Sequence, residues 1–348
     1  MAAKGQQGAS QTLSLFRFSL ALMVVAIHMS GATPPQSGRA AVEAFFCISG
    51  FLITMVADGR YAERPAAFLA NRFLRIYPTY WLCLILAWIV VSYVPASIAL
   101  HPSLHAPATA ADLAANIGIF GLTQMTDSRL LPAAWSLHTE LWFYLIIGLV
   151  TATRPRWTFA LLGISFIVSG LAVLGFLPFA FYGTPLGNGF AFFIGSAIWQ
   201  NRHALPAARA WPIAMAGFVL FEALAWVPQA EMSDRIVFLA APAAGLFLLG
   251  LWNTDADFRL GRMSPYCAFA GRLSYPVFLL HWPLGALVWN ITGVAPGWGL
   301  LGLCLALTLP VAALILIGFE MPLDGLRAWI RKPGAPGETA PGGLPERA

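Results

Sequence analysis

Apolar runs long enough to cross a bilayer recur along the whole chain, separated by short clusters of Arg, Pro and Gly. Read against that punctuation, spans fall near residues 12 to 30, 41 to 57, 77 to 94, 135 to 152, 157 to 176, 187 to 200, 211 to 227, 236 to 252, 273 to 291 and 298 to 319. The pattern predicts an all-α polytopic membrane protein of about ten transmembrane helices, since helices satisfy their own backbone groups in lipid. The sixth span is the shortest and is rich in Gly. The longest connection runs from Ala96 to Ala134, and its apolar stretch Leu113 to Leu122 reads as a re-entrant or surface-lying helix. The expected organisation is a cytoplasmic segment over residues 1–10, a membrane-embedded domain over 11–323 and a cytoplasmic tail over 324–348. That tail is expected to be largely disordered because it is rich in Pro and Gly.

Composition agrees: 59% of the 348 residues are hydrophobic and only 10% are charged, which excludes a disordered chain, a coiled coil and a disulfide-stapled secreted fold. The net charge of +5 has to be sorted by membrane side before it means anything. With the N-terminus inside, 17 of the 20 Lys and Arg residues fall on the cytoplasmic side, and only Arg39, Arg129 and Arg235 fall outside. One missed span would swap every later loop, so both termini are expected in the cytoplasm. Basic residues spread along membrane borders give nucleic-acid binding no support. The four cysteines, Cys47, Cys83, Cys267 and Cys304, lack metal or redox spacing and are expected to be buried thiols. No metal site is expected. The first span lacks a convincing cleavage site and is expected to remain in the protein.

Ionisable groups at membrane depth are candidates for function. Arg17 and His28 share the first span, eleven residues apart, which is roughly 16 Å of helix and nearly the same face. Alternatively Arg17 snorkels to the lipid phosphates and His28 caps a helix end. Arg72 and Arg75, at i and i+3, form either a two-guanidinium grip for an anion or a positive anchor at the inner border. Glu140 enters the fourth span about a turn and a half below Trp135 and needs a proton, a partner or water. His138 is expected at the interface. Glu43, Ser49, His281 and Glu320 are further polar points; Ser49 with Gly50 also suits close helix packing, and His281 suits a structural hydrogen bond as well as catalysis. The arginines gather on the cytoplasmic side, with His28, Glu140 and Glu43 from mid-membrane outward. Such a chain suits a phosphate-bearing donor from inside and acid/base chemistry nearer the outside.

At these residues the chain resembles the acyltransferase-3 family of integral membrane acyltransferases. The shared features run in order. They are Arg17 and His28, the FFxISGFLI stretch from Phe45 to Ile53, RxxRIxP at Arg72, Arg75 and Pro78, and WSLxxExxFY at Trp135, Ser136, Leu137, Glu140, Phe143 and Tyr144. SYxxxLxHxP follows at Ser274, Tyr275, Leu279, His281 and Pro283, and ExP closes at Glu320 and Pro322. The chain departs from the family at Phe278, where a tyrosine often stands, and it resembles the single-domain form without an appended esterase-like domain.

The resemblance implies an acyl-coenzyme A donor, acetyl-CoA above all, as a substrate rather than a tightly bound cofactor. Its phosphates would meet Arg17, Arg72 and Arg75. It implies a saccharide or lipid-linked saccharide acceptor at or beyond the outer side, as in exopolysaccharide or lipopolysaccharide modification, in a bacterial inner membrane. His28 would act as general base, its near-neutral pKa suiting proton exchange, and Glu140 would orient it or bind the acceptor. Glu43, Ser49, Trp135, Ser136, Tyr144, Tyr275, His281 and Glu320 would support the site. A covalent acyl-enzyme remains an open variant. The alternative function is a proton-coupled transporter or flippase with His and Glu as a relay. Internal repeats of the spans would favour it, and none is found.

Overall fold

The computed structural model describes residues 2–59, 61, 64–94, 97–227, 233–254 and 264–330. These form helices and connections, with no strand among them. Eight helical stretches are long and apolar enough to cross a membrane: Gln11–Ser30, Pro35–Gly59, Pro65–Tyr93, Pro132–Thr151, Pro155–Val173, Ala207–Trp226, Asp234–Asn253 and Trp298–Ile330. Two more helices, Pro185–Gln200 and Ser264–Thr292, fall where the sixth and ninth spans were expected. The first of these has only 16 residues; the second carries Arg272 and two internal prolines.

In chain order the α-helices are α1 (Ala2–Ser30), α2 (Pro35–Gly59), α3 (Pro65–Tyr93), α4 (Ser97–Leu100), α5 (Ala110–Gly118), α6 (Trp135–Ile146) and α7 (Pro155–Val173). They continue as α8 (Pro185–Gln200), α9 (Ala207–Trp226), α10 (Ser233–Asn253), α11 (Ser264–Thr292), α12 (Trp298–Ile315) and α13 (Met321–Ile330). Five-residue π-helical turns continue α6 and α12. Pro at the first helical turn starts α3, α7 and α8, where its missing N–H costs nothing.

Helix α2 is the hub, with α1, α8, α9 and α10 packed around it, and α11 lies against α1, α3 and α12. Two glycines allow α2 and α8 to touch backbone to backbone. A Cβ on Gly50 would overlap the Phe192 carbonyl, and one on Gly195 would overlap the Cys47 carbonyl. Membrane helices gain no hydrophobic advantage over lipid by pairing, so such close packing is what holds them together. Aromatic rings fill the rest of this seam, with Phe192 stacked between Phe46 at 4.7 Å and Phe143 at 4.2 Å. The periphery is apolar and outward-facing: Ile164, Phe166, Ile167 and Leu171 of α7 are exposed, as lipid contact requires. All four cysteines are buried and free.

The long connection is built from α4 and α5. Three aromatic side chains from the middle of α3 donate to the last carbonyls of α5: Tyr80 to Asn116 at 2.5 Å, Trp81 to Ile117 at 2.9 Å and Tyr77 to Gly118 at 2.7 Å. Helix ends leave such carbonyls unpaired, and at membrane depth no water replaces the partner. Contact with mid-α3 makes α5 re-entrant rather than surface-lying. Buried Asn116 ties its far side, donating to Ser128 O at 2.8 Å and accepting from Leu130 N at 3.0 Å. His138, expected at the interface, is buried and accepts from Gly121 N at 3.0 Å. Of the expected tail, residues 324–330 belong to α13; the remainder lies outside the described residues.

Candidate active site

Two polar tiers stand along α1. His28 marks one end and Arg17 the other, roughly 16 Å apart by helical rise.

At the histidine end, His28 Nδ1 lies 2.8 Å from His281 Nε2, and His281 Nδ1 lies 2.8 Å from Phe278 O. A carbonyl only accepts, so His281 Nδ1 carries a proton; in the neutral His281 ring Nε2 then accepts, and His28 Nδ1 donates. With both rings neutral, this network puts the His28 hydrogen on Nδ1 and leaves the lone pair on Nε2. The two rings are nearly parallel, at 4° with centroids 5.1 Å apart, as suits a bond in the ring plane. The residue that departs from the family pattern, Phe278, contributes through its carbonyl, where no side-chain hydroxyl is needed. Trp282 lies between two imidazoles, 4.7 Å from His28 and 4.5 Å from His101.

These residues open onto a cavity of about 300 Å³, near the lower end for small-molecule sites. Trp135, Tyr182 and Trp282 give it aromatic walls, and His28, Arg39, His101, Gln124 and Arg129 give it polar ones. His101 comes from the long connection, where its Nδ1 meets Ser103 N at 3.2 Å. Burial, with Arg129 nearby, lowers its pKa to about 4, so it is neutral at physiological pH.

At the arginine end, Arg75 pairs with Glu320, and Arg272 reaches Glu320 at 3.6 Å and Asp324 at 2.7 Å. Arg327 also meets Asp324, at 2.7 Å. Arg72 lies 5.9 Å from the Tyr144 ring, and its Nε is buried without a hydrogen-bond partner among the described residues. Arg17 is within electrostatic reach of Arg75, Glu140, Tyr144 and Glu320. Five guanidiniums therefore face three carboxylates, an excess of positive charge that suits a polyanion.

The structure brings the expected residues together differently from the simplest reading. Glu140 does not partner His28. It accepts from Ser49 Oγ at 2.9 Å and Tyr144 OH at 2.8 Å, which places it beside the arginines instead of outward with His28. The cause is helical geometry: Ser49 lies ten residues along α2 from Arg39 of the cavity wall, about 15 Å toward the arginine end. Glu43 is fully buried and accepts from Asn188, outside the cavity wall. Trp135 lines the cavity, whereas Ser136 bonds locally to Ala133 O at 3.1 Å. Tyr275 donates to Ile76 O at 3.1 Å, joining α11 to α3.

Sequence reasoning passed over Arg39, His101, Arg129 and Trp282. A signal for two of them was present. Arg39 and Arg129 are two of the three exceptions to the one-sided distribution of basic residues, and both line the cavity.

A family described as "Acyltransferase domain" matches residues 11–317. The exopolysaccharide production protein ExoZ of Rhizobium meliloti (strain 1021) is 26% identical over 255 residues, covering 70% of this chain and 75% of that protein. No solved structure matches. With most of its length inside that family match, and with the six motifs in order on an all-helical membrane scaffold, this chain belongs to the acyltransferase-3 family of integral membrane acyltransferases.

Proposed function

We propose that the protein is an O-acyltransferase of the inner membrane that moves an acyl group, acetyl by the family resemblance, from cytoplasmic acyl-CoA to a hydroxyl of a saccharide. The observation that carries this reading is His28 at the cavity wall with its Nδ1 bonded to His281, an arrangement in which the neutral His28 ring keeps its lone pair on Nε2. An unprotonated imidazole beside a sugar-sized cavity is a general base in place.

The donor's phosphates bind at the arginine end, where Arg17 and Arg72 stand with Arg75, itself already paired with Glu320. Glu140, held by Ser49 and Tyr144, balances that charge and fixes the tier's geometry. It is a positioning residue in this account. The pantetheine arm runs along α1 toward His28. The acceptor hydroxyl loses its proton to His28 Nε2 as its oxygen attacks the thioester carbon. The new C–O bond replaces the C–S bond, and the proton passes to the departing thiolate. While His28 is charged, its Nδ1–H bond to His281 spreads the charge toward the Phe278 carbonyl. The exopolysaccharide link carried by the name of the relative ExoZ supports a saccharide acceptor.

The test is transfer of labelled acetyl from acetyl-CoA to a cell-surface oligosaccharide by the purified protein. His28→Ala is expected to lower the rate by at least about 100-fold, within the range for losing a general base, while still eluting as a folded monodisperse species. Transfer at the normal rate in that variant contradicts the proposal.

A further inference from the structure

The cavity at the histidine end has a charge pattern that a neutral sugar does not use. Two arginines, Arg39 and Arg129, line it, and no Asp or Glu does. Arg129 is more than nine-tenths buried, at 8% exposure. Its Nε and one terminal nitrogen donate to Ser103 Oγ at 3.0 and 2.9 Å, and the other donates to Thr123 O at 3.1 Å. These bonds fix the guanidinium but do not neutralise it, and they leave two of its five N–H groups unspent. No carboxylate pairs with it among the described residues. Arg39 sits 4.3 Å over the Tyr182 ring and pairs with Asp234, a half-exposed carboxylate outside the cavity wall.

Taking a cation out of water is unfavourable unless an anion meets it. The sorting expected from the sequence puts 17 of the 20 basic residues on the opposite border, so that expectation gives no reason for Arg129 to be here. Arg235, the third exception, is exposed and does not line the cavity. Rigid guanidiniums with unspent donors fit carboxylate or phosphate oxygens. The same wall carries the aromatic side chains of Trp135, Trp282 and Tyr182.

We propose that the acceptor saccharide carries an anionic oxygen group, and that Arg129, assisted by Arg39, binds this group so that a neighbouring hydroxyl faces His28. The proposal rests on the reading of the cavity as the acceptor site. The anion is either a carboxylate on an acidic sugar or a phosphate on a glycosyl carrier, and the experiment separates these sources.

Full-length protein in lipid nanodiscs is assayed with acetyl-CoA and three acceptors: a glucuronate-containing oligosaccharide, the same oligosaccharide with its carboxyl reduced to the alcohol, and a matched glycosyl phosphate. At least one charged acceptor is expected to have a KM lower than that of the neutral one by about tenfold or more, and the better one identifies the source. Arg129→Gln is expected to pull the charged-to-neutral ratio of kcat/KM toward one, and Arg129→Lys to restore part of it. A purely structural loss would slow all three acceptors and preserve the ratio. Equal KM values for charged and neutral acceptors in the wild type overturn the proposal, and this comparison needs no variant to fold. If the neutral acceptor is used equally and His28→Ala abolishes that use, the anion proposal alone fails. Transfer that survives in His28→Ala overturns the acyltransfer reading beneath it.

Discussion

At the residue scale, the site depends on which polar atoms are already committed. His28 and His281 each stood out in the sequence as an isolated polar point, but their pairing did not, because they lie 253 positions apart and only the packing of α1 on α11 joins them. The arginine motif divides in a similar way. The sequence left Arg72 and Arg75 as one grip or one anchor, whereas the structure gives them different work. Arg75 is the partner of buried Glu320, and Arg72 has a buried Nε with no partner among the described residues. Arg75→Gln, which leaves Glu320 with only the longer contact to Arg272, is therefore expected to destabilise the folded protein by about 3 kcal/mol, read as a lower midpoint of thermal unfolding in detergent. Arg72→Gln is expected to leave that midpoint nearly unchanged and to raise the KM for acetyl-CoA by about tenfold. Equal effects of both substitutions on both measurements would refute this division.

At the scale of elements, hydropathy read the long spans well because lipid-facing helices carry their signal in composition. The expected span at 157 to 176 corresponds to α7, Pro155–Val173, a helix with few buried residues. It was less informative where helices are short or polar inside the bundle, as in α8, and where a connection folds back into it. The re-entrant α5 was one of two readings of an apolar stretch, and what decides it is the set of carbonyl bonds from Tyr77, Tyr80 and Trp81 on a different helix. Gly50 shows the same limit: the sequence offered close packing there, but only the structure names the Phe192 carbonyl as the surface met. Gly50→Ala must push α2 and α8 apart. The expected result is a loss of stability of roughly 1–3 kcal/mol from overpacking, with lower yield of monodisperse protein, and unaltered yield and unfolding midpoint would count against this contact.

At the scale of the whole molecule, two clusters of polar and charged side chains stand at opposite ends of α1. The count of basic residues pointed to the arginine end as one border of the membrane-embedded bundle. It also hid the cavity at the histidine end, because Arg39 and Arg129 served only as the small outer remainder of that count. The long connection that carries His101 and Arg129 reaches the cavity through tertiary contacts that no local pattern announces. The central claim is that one bundle takes its acyl group from a donor on one side and delivers it to a hydroxyl presented from the other. The most direct test uses proteoliposomes in which the protein has a single orientation, with labelled acetyl-CoA supplied on one side and the acceptor saccharide on the other. The account predicts label on the saccharide only when acetyl-CoA meets the arginine end and the acceptor meets the histidine end, and none with His28→Ala. Transfer only when both substrates share a side, or transfer that persists without His28, would contradict it.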